Sequence, residues 1–383
     1  MKPSRSPFQV VKFKEQDGTP AIDLVGPQGR IQEVADWATM HSLSEDKKLN
    51  SVHSMAYDLK HWYTWLHLNG KVWNEVDYKV LPFFAAWLRF GEQLTDRVIP
   101  ITPTQIREES TIGRILSSVY AFYKFYLTTP MAVSIQKYGA YQQSIAKMSK
   151  SLLPVSAHKK PPKKPRSLTR DELNRVIAAC DTKRDLLLIL LLGERGMRVG
   201  GALGLRHEDI SSRHATYTIE PRNDNVNGAF AKTKKTWVLP LRKDMVDIHA
   251  EYMYYEYGDL DCDYLFVNMH GRTKGQPMTY GGANTIRQKL VKKTGIKFTL
   301  HELRHTFATL ALSAGVPIAV VQFMLTHMDS STTTGIYTHL EVETMRAYLD
   351  GTQIDEPHAK SFIDSSSIAE IRQQLDGGLK RIQ

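Results

Sequence analysis

Side chains in three separated segments have the chemistry needed to handle a phosphate group. Arg198 lies in the phrase GMRVG after an apolar run, and a guanidinium is planar, always charged and able to bind two phosphate oxygens at once. The phrase AKTKK, which contains Lys232, Lys234 and Lys235, lies in a predicted turn between two strands, from which a lysine can reach DNA and donate a proton. His301 and Arg304 stand three apart in a predicted helix, so they share one face and can point into one site.

Each of these residues also has an ordinary structural interpretation when it is taken alone. Arg198 would be a surface ion-pairing residue, and the lysines of AKTKK would form a solvated turn. Tyr337, further along the chain, would be a core aromatic whose hydroxyl binds a carbonyl. The order arginine, lysine, His-x-x-Arg, histidine, tyrosine, which ends with His327 and Tyr337, is what indicates a single site.

The charge balance favours a polyanionic partner. The 383 residues contain 50 Lys and Arg against 40 Asp and Glu, which gives a formal charge of +10.

With 42% hydrophobic and 23% charged residues, the composition is that of a folded soluble protein of two or three domains. The longest apolar run, Leu186–Leu192, is far short of the roughly twenty residues that span a bilayer. With two cysteines and no apolar segment of signal-peptide length at the N-terminus, the sequence predicts a cytoplasmic location.

The N-terminal part of the chain is predicted to be a hairpin followed by a helical domain. Loose alternation over residues 9–25 around Asp17-Gly18 predicts a short β-hairpin within an N-terminal extension, residues 1–30. Apolar residues at steps of three and four then predict an all-helical domain over 31–153, with helices at Val80–Phe90 and Thr111–Leu127. The aromatic residues predicted to fill its core are Trp62, Tyr63, Trp65, Phe83, Phe84 and Trp87.

Residues 154–167 form a basic, proline-rich connector. Its proline density forbids a helix and favours an extended, semi-rigid chain. The simpler interpretation is a solvated linker, and the one we favour is a strap that follows a phosphate backbone between two domains. The lysines that would contact DNA are Lys159, Lys160, Lys163 and Lys164.

A second domain is predicted over residues 168–350. Thr169 and Glu172 form a capping box, the apolar helix Leu186–Leu192 follows, and short alternating segments then predict a small β-meander. Helices return at Tyr280–Thr294, Leu300–Ala314, Ile318–Leu325 and Glu341–Leu349. The polar tail, residues 351–383, contains one narrow apolar stripe, for which docking on a neighbouring protomer is a hypothesis.

The sequence resembles the tyrosine recombinases, the phage integrase family of site-specific DNA recombinases. The phrases GMRVGGALGLRHEDI, HELRHTFATLALSAGVP and LTHMDSSTTTGIYTHL are similar to family patterns. The resemblance implies a mainly α fold with a small β-meander, built as a two-domain C-shaped clamp on duplex DNA. A helical core-binding domain would precede a mixed α/β catalytic domain. It also implies a homo-tetramer on DNA in the integration, excision or transposition of a mobile element, in a prokaryotic or phage host and associated with the nucleoid.

The resemblance also implies the roles of the site residues. Arg198 and Arg304 would bind the phosphate, and His327 would donate a hydrogen bond to it. Tyr337 would be the nucleophile, and the product would be a 3′-phosphotyrosine, formed without ATP, metal or any other cofactor.

Two further residues would move the protons of this reaction. Lys232 would protonate the departing 5′-oxygen, and His301 would accept the proton of the attacking hydroxyl.

Three positions depart from the family pattern. Gly201 stands where an acidic residue is usual, and Thr326 replaces the glycine of Leu-Gly-His. The interval from His327 to Tyr337 is ten residues, where nine is usual. Delivery of the tyrosine within one protomer or to another is therefore left open, as are the DNA target, the accessory proteins and the choice among phage integrase, transposase and dimer resolvase.

Two other functions remain as alternatives. HELRH satisfies the zinc-protease motif H-E-x-x-H, with His301 and His305 as ligands and Glu302 as base. Positions 308 and 311, where a third ligand would follow, are both alanine. The second alternative is a DNA-binding protein that keeps the fold without the activity, and the complete set of six candidate residues argues against it.

Overall fold

The computed structural model describes residues 6–14, 20–43, 49–76, 78–91, 105–128, 166–326, 342–350 and 373. The chain divides into two compact units, Met1–Lys163 and Lys164–Gln383. The four linker lysines, the tail except for residue 373, His327 and Tyr337 lie outside the described residues. Predictions about them stay predictions.

The first unit begins with an antiparallel sheet. Strands β1 (Gln9–Lys14) and β2 (Pro20–Gly26) pair in register from Gln9 opposite Val25 to Lys14 opposite Pro20, and β3 (Gly29–Arg30) continues the sheet. The predicted hairpin is therefore confirmed, although its turn lies outside the described residues. The hairpin packs on the helices that follow it, because Ile22 and Leu24 are buried in the same core.

Four helices complete the described part of this unit. They are α1 (Gln32–Leu43), α2 (Leu49–Leu68), α3 (Leu81–Phe90), which a 3-10 turn at Tyr78–Val80 precedes, and α4 (Glu109–Thr128). Aromatic rings fill the space between them: Trp62 meets Phe84 edge to face at 4.9 Å, and its indole donates a hydrogen bond to Tyr123 at 3.2 Å. The helices agree with those predicted here, and most of the predicted aromatic core is buried. The predicted bounds of the helical domain stay a prediction.

The prediction for Phe83 is wrong. Its side chain is 70% exposed, whereas its neighbour Phe84 is fully buried. Consecutive side chains on a helix point about 100° apart, so one amphipathic face cannot bury both. The run of aromatic residues concealed this helical phase.

The second unit is built around one buried helix. Helix α5 (Arg170–Ala178) begins at the predicted capping box, in which Thr169 Oγ1 accepts from the Glu172 amide. Helix α6 (Lys183–Gly193) follows and is buried on every side, as its apolar run predicts. At its start the ammonium of Lys183 is also buried, and it donates to Glu251 at 2.7 Å.

A small sheet and a short helix lie beside α6. Helix α7 (Val199–Leu203) comes first, and strands β4 (Ile210–Ser211), β5 (Thr216–Ile219) and β6 (Trp237–Pro240) form an antiparallel sheet in that order. Tyr217 lies opposite Leu239, and both side chains are fully buried. The predicted meander is confirmed.

The remaining described helices cover this core. They are α8 (Lys243–Glu251), which continues as a π-helix over Tyr252–Tyr257, α9 (Tyr280–Thr294), α10 (Leu300–Ser313), α11 (Ile318–Met324) and α12 (Val342–Asp350). Arg346 attaches α12 to the sheet, because its guanidinium donates to the carbonyls of Leu241 at 2.9 Å and Ala215 at 3.0 Å. The mainly α fold with small antiparallel sheets is the one predicted. In the described ranges, no helix is both long enough and apolar enough to cross a membrane.

Candidate active site

Arg198 lies at the N-terminus of α7, where the chain turns away from the buried helix α6. Its side chain is half-buried, and Nη1 donates to the Leu325 carbonyl at 3.3 Å and to Thr326 Oγ1 at 2.9 Å. Both acceptors follow the end of α11, far along the chain. The arginine is therefore aimed at the point where the described residues stop before His327.

Arg304 reaches the same point from α10. The residue is 5% exposed, and its guanidinium donates from Nη1 to the Gly196 carbonyl at 2.7 Å and from Nη2 to the Leu325 carbonyl. Arg198 and Arg304 therefore share one acceptor, the carbonyl oxygen of Leu325. Two guanidinium groups therefore meet at a single oxygen, and groups placed this close together can bind one phosphate through their other N–H donors.

The convergence concentrates positive charge. Burial, and after it the like charge of Arg198, lowers the pKa of Arg304 to about 9, so this guanidinium stays charged at neutral pH. Burial also lowers the pKa of Arg198. Neither guanidinium forms an ion pair with a carboxylate in the part of the chain that the structure describes. A site with two desolvated cations and neutral acceptors favours an anionic ligand.

Gly196 makes the turn between α6 and α7. Its φ of 65° lies in the left-handed region, and a side chain there would collide with Phe307 and Leu325. Glycine alone adopts this conformation without strain, and it leaves room for the ring of Phe307. The turn directs the Gly196 carbonyl at Arg304 and places Arg198 at the start of α7.

Lys232 lies in the loop between β5 and β6, as predicted, with its side chain exposed. Its φ of 46° is also in the left-handed region, which is uncommon for a residue other than glycine and is concentrated at functional sites. The next residue is fixed, because the Trp237 indole donates to Thr233 Oγ1 at 2.8 Å. The loop therefore has a defined conformation at the candidate general acid.

His301 begins the exposed end of α10, one turn before Arg304. Its ring meets that of His305 edge to face at 4.6 Å. Partial burial lowers the pKa of His301, and so do, in decreasing order, the nearby charges of His305, Arg304, Arg198 and Lys232. Three other predicted site residues, Arg304, Arg198 and Lys232, are thus within electrostatic reach of His301. A neutral imidazole beside two arginines can accept a proton.

The other two predicted residues, His327 and Tyr337, lie outside the described residues. The described chain stops at Thr326 and resumes at Val342, and both ends belong to the second unit. Tyr280, by contrast, begins α9 and is 58% exposed.

Sequence reasoning missed the groups that hold the arginines in place. The carbonyls of Gly196 and Leu325 are main-chain groups, and a pattern of side-chain types cannot predict which carbonyls bind the arginines. Thr326 carried a usable signal, since it departs from the family glycine. The structure gives it a φ of 49°, a conformation that glycine adopts freely and a β-branched residue rarely adopts. Its hydroxyl serves as an acceptor for Arg198.

The position of Glu302 argues against the zinc-protease alternative. Its carboxylate accepts from the Thr299 amide at 2.7 Å, and Thr299 Oγ1 accepts from the Glu302 amide in return. The glutamate that would be the catalytic base is therefore half of a helix capping box. Among the described residues, no three metal-ligating side chains form a cluster.

Comparison with known proteins matches this chain to one family. The model of the phage integrase family matches residues 166–344, which include every described candidate residue. Transposase A from transposon Tn554 of Staphylococcus aureus is 31% identical over 319 residues, covering 78% of this chain and 85% of that protein. Tyrosine recombinase XerA of Pyrococcus horikoshii is 26% identical over 298 residues, covering 78% of this chain and 94% of that protein.

A solved structure shows the same fold. The integrase of transposon Tn1549, in complex with circular intermediate DNA, aligns with a TM-score of 0.53 and 18% identity, covering 82% of this chain and 97% of that one. The identity to the Tn554 transposase, which extends over more than two thirds of both proteins, shows the family. The chain belongs to the phage integrase family and is a tyrosine-type site-specific recombinase.

Proposed function

We propose that this chain cleaves and rejoins DNA strands at a specific site through a 3′-phosphotyrosine intermediate, in the movement of a mobile element. The observation that carries the proposal is the convergence of Arg198 and Arg304 on one oxygen, with His301 and Lys232 nearby. The Leu325 carbonyl would hold both guanidinium groups in place, and the scissile phosphate would accept hydrogen bonds from their other N–H groups.

In the first half of the reaction, the hydroxyl oxygen of Tyr337 attacks phosphorus. The new bond joins tyrosine to the 3′-phosphate, and the bond from phosphorus to the 5′-oxygen breaks. A phenol with a pKa of about 10 is mostly protonated at neutral pH, so His301 accepts its proton during attack. Lys232 gives a proton to the leaving 5′-oxygen. Attack by a second 5′-hydroxyl reverses these steps and joins the strands.

Charge stabilisation comes from the arginines. Negative charge grows on the non-bridging oxygens as the nucleophile attacks, and Arg198 and Arg304 meet it with donors that are already oriented. His327 would donate another hydrogen bond to the same phosphate. The phosphotyrosine is itself a diester, so the energy of the broken bond is retained and neither ATP nor a metal cofactor is required.

Binding to duplex DNA would use both units. In the first unit, burial and then the charges of Arg107, Lys60 and Arg114 lower the pKa of His61 to about 4, so these three cations lie near this histidine of α2, Arg114 in an ion pair with Asp58. Such a group suits a phosphate backbone. The linker lysines would follow the backbone between the units, and the tail would link protomers of a homo-tetramer. The enzyme would act in the cytoplasm, on the nucleoid.

The similar proteins support a role in moving a mobile element. One relative is the transposase of Tn554, and one structure with the same fold is a transposon integrase in complex with circular intermediate DNA. The deciding experiment is covalent trapping on a nicked duplex that carries the ends of the host element and loses a short fragment after cleavage. The wild-type chain should become joined to the 3′-end of this DNA in EDTA. A chain that binds the duplex tightly but yields no adduct would have the fold without the activity.

We expect cleavage to depend on pH through His301. Because the pKa of His301 is held below its usual 6.5, the imidazole is neutral at neutral pH, and it loses its capacity as a base only when the pH falls through that lowered value. The rate of adduct formation should therefore be level near neutrality and decline in acid, with a midpoint below 6.5.

Replacement of the neighbouring histidine provides the check. His305 is among the charges that lower the pKa of His301, so His305→Gln should move the midpoint to higher pH. His301→Gln should remove the acid limb together with most of the rate. An acid limb that is unchanged in both variants would assign the base to another group.

A further inference from the structure

The loop that carries Lys232 makes an unusually close approach to helix α7. A side-chain carbon added to Gly200 would lie within 3.2 Å of the main-chain nitrogen and carbonyl carbon of Phe230, and closer still to its oxygen. These are backbone atoms, so they cannot swing aside as the end of a flexible side chain would. The main chain at Phe230 rests directly on the backbone of Gly200.

The adjacent glycine provides a contrast. A carbon added to Gly201 meets only Met197 Cγ, at 3.7 Å, which is an ordinary van der Waals contact. Both glycines belong to α7, and they differ in which side of the helix they present. The close approach of the loop therefore requires that position 200 has no side chain, whereas position 201 has room for one.

A hydrogen-bonded anchor holds the loop against the same helix. Asn227 Nδ2 donates to the carbonyl of Leu203, the last residue of α7, at 2.9 Å, and to the carbonyl of Met278 at 2.8 Å. We call the Phe230 contact on Gly200 and this Asn227 anchor the loop seat. Lys232 follows the seat by two residues, and its own left-handed backbone directs its side chain outward.

The loop seat connects two candidate catalytic residues. Arg198 is the N-cap of α7, two residues before Gly200, so the depth at which the loop settles on α7 sets the position of Lys232 relative to Arg198. General-acid catalysis requires the donor within hydrogen-bond reach of the leaving oxygen, and an error near 1 Å is costly. We infer that Gly200 and Asn227 are positioning residues that place the Lys232 ammonium at the leaving 5′-oxygen, an inference that rests on the proposed function.

The test compares two substrates for each variant. One carries the normal 5′-oxygen at the scissile phosphate, and the other carries a 5′-bridging sulfur, which leaves as a thiolate without a proton. Gly200→Ala should slow cleavage of the normal substrate by about 10²-fold, the lower part of the range for a general acid. The sulfur substrate should be cleaved at nearly the wild-type rate, and DNA affinity should be unchanged. Gly201→Ala is the matched control and should cleave both substrates like the wild type.

Lys232→Ala separates failure of this inference from failure of the proposed function. If sulfur rescues Lys232→Ala but Gly200→Ala loses equal activity on both substrates, Gly200 is only structural and the inference is overturned. If the wild type forms no adduct, or sulfur fails to rescue Lys232→Ala, it is the proposed role of the lysine that fails.

Asn227→Ala provides a second route if Gly200→Ala does not fold. This variant removes three hydrogen bonds of a half-buried side chain, two donated by Nδ2 and one that Oδ1 accepts from the Ala229 amide, and it adds no atoms, so the second unit should remain folded. We expect a smaller loss on the normal substrate, again rescued by sulfur. An Asn227→Ala variant with full activity, or with a loss that sulfur does not rescue, contradicts the loop seat.

Discussion

Tyr337→Phe is expected to abolish the covalent protein–DNA adduct while leaving DNA binding intact. The change removes one oxygen atom, which in the proposed reaction is the nucleophile, and it leaves the ring in place. Loss of a covalent nucleophile in another enzyme costs roughly 10⁶-fold in rate, so the adduct should fall below detection. The measurement is a denaturing gel of the suicide substrate after incubation in EDTA, alongside a binding titration with the same duplex.

Tyr280→Phe is the matched control. Tyr280 begins α9 with its side chain exposed, and no contact links it to the arginine pair in the described structure. This variant should form the adduct at the wild-type rate. An adduct that survives Tyr337→Phe, or a digest that maps the phosphotyrosine to another residue, would show that the tyrosine was assigned wrongly in the ten-residue interval after His327.

The second large effect is expected for Arg304→Ala. This arginine is the more deeply buried of the convergent pair, and its loss removes a charged donor from the transition state and leaves the Gly196 carbonyl without that donor. Removing one oriented donor from such a site typically costs about 10²–10³-fold, and we expect a loss at the upper end because the donor is charged and desolvated. Single-turnover cleavage at saturating DNA measures this effect separately from binding.

Arg304→Lys tests the geometry rather than the charge. A lysine keeps the positive charge but has no planar fork, so it cannot donate to both the Gly196 and the Leu325 carbonyls as the arginine does. We expect a substantial loss of cleavage here as well. Arg287 is a suitable control residue. It lies on α9 and, like Arg304, it donates to a main-chain carbonyl, that of Phe298 at 3.0 Å. Arg304→Lys with wild-type cleavage would contradict the convergent arrangement.

Much of the second unit could be predicted because its signals are local. The capping box at Thr169 and Glu172 marks the start of α5, and the bounds of α9 agree with the predicted Tyr280–Thr294. Periodicity and caps act within a few residues, so they can be read from the sequence. Phe83 shows the limit of such reading, since a run of aromatic residues does not reveal which of two neighbours faces the core.

The candidate site was predictable in its side chains and not in its supports. Arg198, Lys232, His301 and Arg304 could be proposed from the sequence, and the structure brings the other three within electrostatic reach of His301. The seat of Phe230 on Gly200 could not be anticipated, because it joins segments that are thirty positions apart through backbone atoms. His327 and Tyr337 remain predictions, since they lie outside the described residues.

The shared acceptor of the two arginines has a consequence for mutational scanning. The Leu325 carbonyl is part of the main chain, so every one of the other amino acids at position 325 would retain it. Substitution of Leu325 by every other amino acid would test the role of the buried leucine side chain. It would not test the role of the main-chain oxygen that both guanidinium groups contact. Sensitivity would appear instead at the residues that hold this carbonyl in place, above all Thr326 with its left-handed backbone. If substitutions at position 325 keep activity, this result therefore does not show whether the site depends on the Leu325 carbonyl.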